Sequence, residues 1–301
     1  MNLGHVNILF GCLIFLIFVP LSVNAQMFAV EAGYVPNPYL VHPQADWRWE
    51  KQKTYDTAFI RIRYKMTFWN GEKSERYQDN RLVFVGKNGY RKDVSELLEV
   101  MDWKNTPTPY TDKRQAYTYA SPLFPATFFV SPQGDSWTLF RTILGGLILR
   151  YEEKPAVFNW VLQPETDSVL GYVCQKASMD FKGRHYLAWY CPDIAVNAGP
   201  YKFDGLPGLI LRMEDTAADY IWEADGIEKF CTPIAEKQFV VQKSTRKQAR
   251  EMLGIMFSQP YKFLSQILGM KIKVFDEYEN SRSVGEKEFA VTLYYRPIEL
   301  E

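Results

Sequence analysis

The chain has 301 residues, 47% of them apolar, and Lys plus Arg equals Asp plus Glu at 35 each, so the formal net charge is zero. This balance gives no sign of nucleic acid or of an anionic membrane surface as a partner. Aromatic residues make up 16% of the chain and are spread along it, a composition that favours strands.

Residues 8–19 form an apolar run, followed by Pro20, Ser22 and the small-residue pattern Val23-Asn24-Ala25. This reads as a cleavable signal peptide over residues 1–25, cut after Ala25, although the segment before the run lacks Lys and Arg. The run is shorter than the roughly 20 apolar residues of a spanning helix, so no transmembrane anchor is expected in the mature chain. Cys12 lies inside the run rather than after it, which argues against lipidation there. The mature protein is expected to be exported, either periplasmic or secreted. Residues 26–56, with Pro36, Pro38 and Pro43, predict an irregular arm, and residues 57–301 a single β-rich domain.

Ala58, Ile60, Ile62, Tyr64, Met66 and Phe68 alternate with Arg61, Arg63, Lys65 and Thr67, which is the period of a strand with one wet face. Asn70-Gly71 is a turn signal at its end. Residues 82–85 predict a second strand and residues 94–101 one or two helical turns. Pro107, Pro109, Pro122, Pro125 and Pro132 restrict any strand among them, such as 126–130, to a short or edge position. Residues 137–143 and 147–152, parted by Gly145-Gly146, predict a hairpin, and residues 158–162 a further strand.

Residues 171–191 hold two strand-like runs meeting at Lys182-Gly183. With those two as the turn, Phe181 faces Arg184, Asp180 faces His185, and Cys174 faces Cys191 at a non-hydrogen-bonded pair, where side chains come closest. Three cysteines follow the leader, Cys174, Cys191 and Cys231. Two states stay open: a Cys174–Cys191 staple formed in an oxidising compartment with Cys231 spare, or three buried thiols. Residues 209–213 and 220–227 predict another hairpin. Thr245 and Gln248 form a capping-box pattern before Ala249, Met252, Leu253 and Met256 at helical spacing. Phe263, Leu264, Ile267 and Leu268 predict a second short helix ended by Gly269, and residues 272–278 and 288–295 closing strands.

Gly205-Leu206-Pro207-Gly208-Leu209-Ile210 suits a type II turn, because Pro presets its own φ and the following Gly accepts a positive one. Its Leu and Ile can then bury against a sheet. The hexapeptide carries no nucleophile, acid or metal ligand, so its role is structural. Letter for letter it is the signature of the GLPGLI family of exported Bacteroidetes proteins. Phe158-Asn159-Trp160, Leu170-Gly171-Tyr172, Cys174-Gln175-Lys176-Ala177, Gly183-Arg184, Ala188-Trp189-Tyr190 and Gly199-Pro200-Tyr201 also resemble that family, from about residue 115 to 230. The resemblance implies a Gram-negative envelope protein and brings no reaction, cofactor or catalytic residue. Cys191 departs from the family pattern, as does the spacing through 104–136.

Little in the chain suggests catalysis. After the leader the histidines are His42 and His185, and His185 opposite Asp180 reads as a surface pair. Gly134-Asp135-Ser136 resembles a serine-hydrolase block but has no histidine downstream in the C-terminal third to serve as base. Glu214, Asp215 and Asp219 form an acidic cluster in the 214–219 hairpin loop that could weakly hold a calcium-like cation, though acidic hairpin tips are more often merely solvated. Cofactor motifs and zinc spacings do not occur.

The expected fold is therefore mainly β (α+β): a twisted or curved antiparallel sheet with C-terminal helices packed on it, a half-barrel being one arrangement the layout allows. The expected function is a non-enzymatic exported envelope protein binding an apolar small molecule, a peptide or a partner protein. Trp189, Leu187, His185 and Asp180 are the candidate ligand-facing residues of the central hairpin. The alternative is a periplasmic hydrolytic enzyme using a metal or acidic residues.

Overall fold

A computed structural model describes residues 28–32, 49, 51–69, 76–106, 124–142, 146–275, 281–283, 285–288 and 297–301. The leader, Asn70-Gly71, His42 and the whole of 107–123 in the proline-rich stretch lie outside the described residues. The chain divides into two compact units, one of residues 1–40 and 254–293 and the other of residues 41–253 and 294–301.

In the smaller unit, β1 (Phe28–Ala32) pairs with β15 (Met270–Phe275), which pairs with β16 (Ser281–Ser283), all antiparallel. Part of the expected irregular arm is therefore strand. Pro260–Lys262 leads into a π-helical turn, Phe263–Ile267, closed by Leu268 N–H donating to the Phe263 carbonyl at 3.0 Å. Gly269 follows with φ +65°, the left-handed position that ends a helix.

The larger unit is an open, mixed sheet of 13 strands and not a closed barrel. Its centre is β2 (Gln52–Trp69), longer at its start than the alternation predicts. Ala58, Ile62, Tyr64, Met66 and Phe68 on one face are buried, and Phe59, Arg63 and Lys65 between them are exposed. One side of β2 pairs with β3 (Arg76–Gly86), which continues to β4 (Arg91–Ser95), β5 (Ala126–Val130), β6 (Ser136–Arg141) and β7 (Ile148–Glu153). β14 (Gln242–Lys243) adds to β7 in parallel, so the sheet departs from the all-antiparallel expectation at that edge.

On its other side β2 pairs with β12 (Tyr220–Lys229) and, further along, with β13 (Pro233–Lys237). The order then runs β11 (Leu209–Asp215), β10 (Arg184–Cys191), β9 (Tyr172–Phe181) and β8 (Val161–Val169) at the edge. β5 is short, as its flanking prolines require, yet it lies inside the sheet with all five residues buried. The prolines flank it without entering the ladder, so both of its sides can pair. The helix Glu96–Lys104 begins where strand β4 ends, two residues later than the sequence suggests. The helix Arg246–Ser258 opens with the expected capping box, Thr245 N–H donating to Gln248 Oε1 at 2.9 Å and Gln248 N–H to Thr245 Oγ1 at 3.2 Å.

The core of the larger unit is aromatic. Phe68 stacks on Tyr220 with centroids 5.9 Å apart, and Tyr220 on Trp222 at 5.5 Å. Phe203 touches the rings of Phe158, Phe181, Tyr186, Tyr201 and Trp222. Such pairs add about 0.5–1.5 kcal/mol each beyond area burial.

Candidate functional site

The β9–β10 hairpin forms as its sequence dictates. Lys182 (φ 49°) and Gly183 (φ 79°) make a two-residue turn with both φ positive, the type I′ geometry that matches strand twist. The register is the predicted one, with Phe181 opposite Arg184, Asp180 opposite His185 and Gln175 opposite Tyr190. It carries Cys174 toward Cys191, both fully buried, yet all three cysteines are free thiols and the anticipated disulfide is not formed. Burial, and next the neighbouring Cys191, pushes the Cys174 thiol up to about 11, which suppresses the thiolate that exchange requires. Cys231 is exposed.

The two hairpin faces differ. Ala177, Met179, Tyr186, Ala188 and Tyr190 are buried in the core, whereas Leu187 and Trp189 are half-buried and His185 and Asp180 exposed. The four candidate ligand-facing residues thus share the wetter face. His185 Nδ1 lies 2.8 Å from Asp180 Oδ1, an exposed pair of the kind worth about 0–1 kcal/mol. Trp189 is already covered by the Arg212 guanidinium, 3.9 Å from its ring centroid, and Arg212 in turn pairs with Asp167 at 2.6 Å.

The hexapeptide 205–210 does not form the expected type II turn. Gly208 N–H donates to the Leu206 carbonyl at 2.8 Å, a three-residue turn centred on Pro207, and Leu209 N–H turns instead to the Ile194 carbonyl at 3.1 Å. Gly208 takes φ +152°, and a Cβ there would lie 2.1 Å from the Cys191 carbonyl oxygen, so close approach to β10 requires glycine. Leu206, Leu209 and Ile210 are buried as anticipated. Tyr64 Oη donates to the Ile210 carbonyl at 2.6 Å, and Trp160 Nε1 to the Asp204 carbonyl at 2.7 Å.

Sequence reasoning missed a set of buried ionic groups that surround this region. Arg184 is central to it. Its guanidinium reaches Asp215 at 2.7 Å and Asp219 at 2.9 Å, so these two carboxylates of the acidic cluster are neutralised from inside rather than solvated, while Glu214 is half-buried in β11. The same guanidinium donates to the carbonyls of Ile298 at 2.7 Å and Pro297 at 2.8 Å. Tyr186 Oη donates to the Ile298 carbonyl at 3.0 Å, and Leu300 N–H to the Lys182 carbonyl at 2.8 Å. Glu299 accepts the Tyr201 hydroxyl at 2.5 Å and pairs with Lys202 and Arg246, holding its carboxyl below the usual range against the opposing effect of burial.

Tyr201 has φ 59°, a conformation that costs a bulky residue about 1–3 kcal/mol. Its N–H donates to Asp93 Oδ2 at 2.5 Å, and Asp93 is bound in turn by Arg81 at 2.6 Å, a buried chain that keeps the strained backbone in place. The one sequence-level signal for these residues is a charge inside an apolar strand pattern, as at Arg81 and Arg184. The Gly134-Asp135-Ser136 block is the turn between β5 and β6, with Ser136 the first residue of β6. Among the described residues no group of three or more His, Cys, Asp or Glu is arranged to hold a metal ion, and no helix is long and apolar enough to cross a membrane.

Residues 181–212, which span β10, the Tyr201–Lys202 corner and the hexapeptide, match one protein family. It is Porph_ging, a protein of unknown function. This Bacteroidetes-associated match is short, and the GLPGLI name itself is not confirmed by it. A search of curated proteins finds no match. Among solved structures, the chain resembles PNGF-II in its P21 space group at TM-score 0.44 and 16% identity, over 66% of this chain and 33% of that one. PNGF-II in its C2 space group matches at TM-score 0.42 and 15% identity, over the same shares. A LolA superfamily protein from Nitrosomonas europaea matches at TM-score 0.25 and 9% identity, over 64% and 93%. The chain therefore spans about a third of the length of the PNGF-II chains.

Proposed function

We propose that this protein is a non-enzymatic binding protein of the cell envelope, exported by its N-terminal leader, that engages an extended apolar segment of a partner polypeptide at the free edge of its large sheet. The leader pattern of residues 1–25 supports export. The observation that carries the binding reading is the clustering of exposed apolar side chains at one end of the sheet. Val157, Val161, Leu162, Leu170, Tyr172 and Val173 are between 41 and 76% exposed, and all belong to β8, β9 or the segments beside them.

β8 is the last strand on this side, and its outward N–H and C=O groups have no ladder partner among the described residues. An exposed, unpaired strand with apolar side chains is a template for strand addition, in which main-chain bonds supply affinity and alternate side chains supply selectivity. The Leu162–Thr166 bulge around Pro164 interrupts the ladder with β9 and limits the productive stretch to its ends. One cleft, by contrast, is lined by the charged side chains of Arg61, Arg63, Glu96 and Glu228 together with Leu82, Gly226 and Ile227, a mixed surface rather than an apolar one.

Native mass spectrometry of protein taken from its own envelope tests the reading. A co-purifying polypeptide that is lost in a Val161→Lys/Leu162→Lys/Val173→Lys variant supports it. A polypeptide retained by that variant, or a stoichiometric metal in place of a polypeptide, overturns it, and the metal favours a hydrolytic enzyme.

A further inference from the structure

We infer that Arg184, Tyr186, Tyr201, Lys202, Arg246 and Arg250 form a second, separate binding site: a cradle for an extended peptide that carries a carboxylate, loaded in this structure by the chain's own segment 297–301.

The cradle reads both backbone and side chain of its occupant. Arg184 donates to the carbonyls of Pro297 and Ile298, Tyr186 to that of Ile298, and Arg250 to that of Leu300 at 3.0 Å, while Arg246 donates to that of Glu301. Leu300 returns its N–H to the Lys182 carbonyl. A row of donors aimed at the main-chain carbonyls of residues 297, 298, 300 and 301 suits an extended segment and is indifferent to its side chains. Selectivity comes from one pocket, where the Glu299 carboxylate meets the Tyr201 hydroxyl, Lys202 and Arg246. Glu153, paired with the same Lys202 and Arg246, sits beside that pocket, so the basic groups are shared and oriented before the peptide carboxylate adds to them.

The receptor side is built rather than incidental. Arg184 is 3% exposed and anchored from behind by Asp215 and Asp219, so its remaining donors are fixed in direction. A Cβ at Gly183 would lie 3.0 Å from Leu300 Cβ, so the glycine of the hairpin turn also serves the close approach of the segment. Lys182, Gly183, Arg184, Tyr186, Tyr201 and Lys202 all fall within residues 181–212, the stretch that the family model spans. An occupant held in cis lowers the apparent affinity for one in trans by the fraction of time the cradle stands open.

The probe is a fluorescein-labelled peptide, Arg-Pro-Ile-Glu-Leu-Glu, read by fluorescence anisotropy against the full-length chain. Glu299→Lys should release the segment in cis, and the variant should bind the peptide at least about tenfold more tightly than the unaltered chain. Adding Arg246→Glu to that variant should abolish binding, as should a peptide with Lys in place of its first Glu. Equal binding to both chains, or none to a folded Glu299→Lys chain, overturns the inference. A readout on the unaltered chain covers a variant that fails to fold: amide exchange at Leu300 should be at least about a hundredfold faster than at Tyr186. Exchange of the two at one common rate would make the segment a permanent part of the core and sink the proposal.

Discussion

Arg184 and Asp215 meet 2.7 Å apart with side chains only 3 and 2% exposed, and Asp219 completes a buried triad around one guanidinium. Removing the cation strands two carboxylates away from water. Arg184→Met is therefore expected to destabilise the chain by about 3–5 kcal/mol in urea unfolding, the usual cost of breaking a buried pair. Arg184→Lys should recover only part of this, because an ammonium cannot serve two carboxylates and two carbonyls in fixed directions. A loss below about 1 kcal/mol for Arg184→Met would show that the triad is solvated in solution.

The hexapeptide offers a paired test. Gly208→Ala places a methyl group, fixed to its own backbone, 2.1 Å from the backbone carbonyl oxygen of Cys191, where neither side can give cheaply. A loss of about 3 kcal/mol or more is expected from strain and local repacking. Pro207 is exposed and presets φ only, so Pro207→Ala should cost no more than about 1 kcal/mol. Thermal unfolding of the two variants side by side separates the requirement for glycine from the preference for proline.

Cys174 and Cys191 supply a redox prediction. We expect the predicted hairpin register to let the two thiols join when the folded protein is treated with a small-molecule disulfide such as oxidised glutathione. Two successive exchanges would transfer the two electrons, forming one protein disulfide and releasing two molecules of reduced glutathione. Closure of a loop of about eighteen residues corresponds to roughly 3 kcal/mol of stabilisation. Peptide mass mapping without reductant should find Cys174 joined to Cys191 and Cys231 outside the bond. Because burial raises the Cys174 thiol to about 11, the reaction should be slow at neutral pH and speed up toward alkaline pH.

Acid should loosen the 297–301 segment. Glu299 has its carboxyl held below the usual range by Lys202, Tyr201 and Arg246, with Lys182 contributing, against the opposing effect of burial. A carboxyl depressed on folding contributes stability that is fully present above its unfolded value, about 4.3, and is lost as pH falls through the folded value. Protection of the Leu300 amide against exchange should therefore be constant from neutral pH down to about 5 and decline below about 4. In Glu299→Gln this acid step should be missing, after allowance for the intrinsic pH dependence of exchange.

What the sequence disclosed and what it concealed divide along the range of the interactions involved. The β9–β10 register was legible because a two-residue turn fixes it locally, and the alternation of 58–68 was legible because each side chain reports its own face. The capping box of Thr245 and Gln248 is likewise a matter of neighbours. The interior position of β5 was not legible, since prolines beside a strand look the same whether or not both of its sides are paired. Nor was the cradle, whose donors lie near residues 184, 201 and 246 and whose occupant lies at 297–301. Nothing local marks Tyr201 as the partner of Glu299. The turn at Pro207 departs from the type II expectation for a related reason: Leu209 N–H is drawn away by the Ile194 carbonyl, a contact that the hexapeptide alone does not contain.

The position of β2 has a consequence for how the chain reaches this fold. Its partner on one side, β3, follows within a few residues, whereas its partners on the other side, β12 and β13, begin at Tyr220 and Pro233. During synthesis, and during any passage through a membrane in an extended state, the β2–β3 hairpin must wait for more than a hundred residues with Ile62, Tyr64 and Met66 unsheltered and one strand edge open. Pairings that distant form slowly, and the intermediate that precedes them is the species at risk of self-association. Yield of the folded protein should therefore depend less on its final stability than on whatever shields residues 58–68 until the last third of the chain arrives.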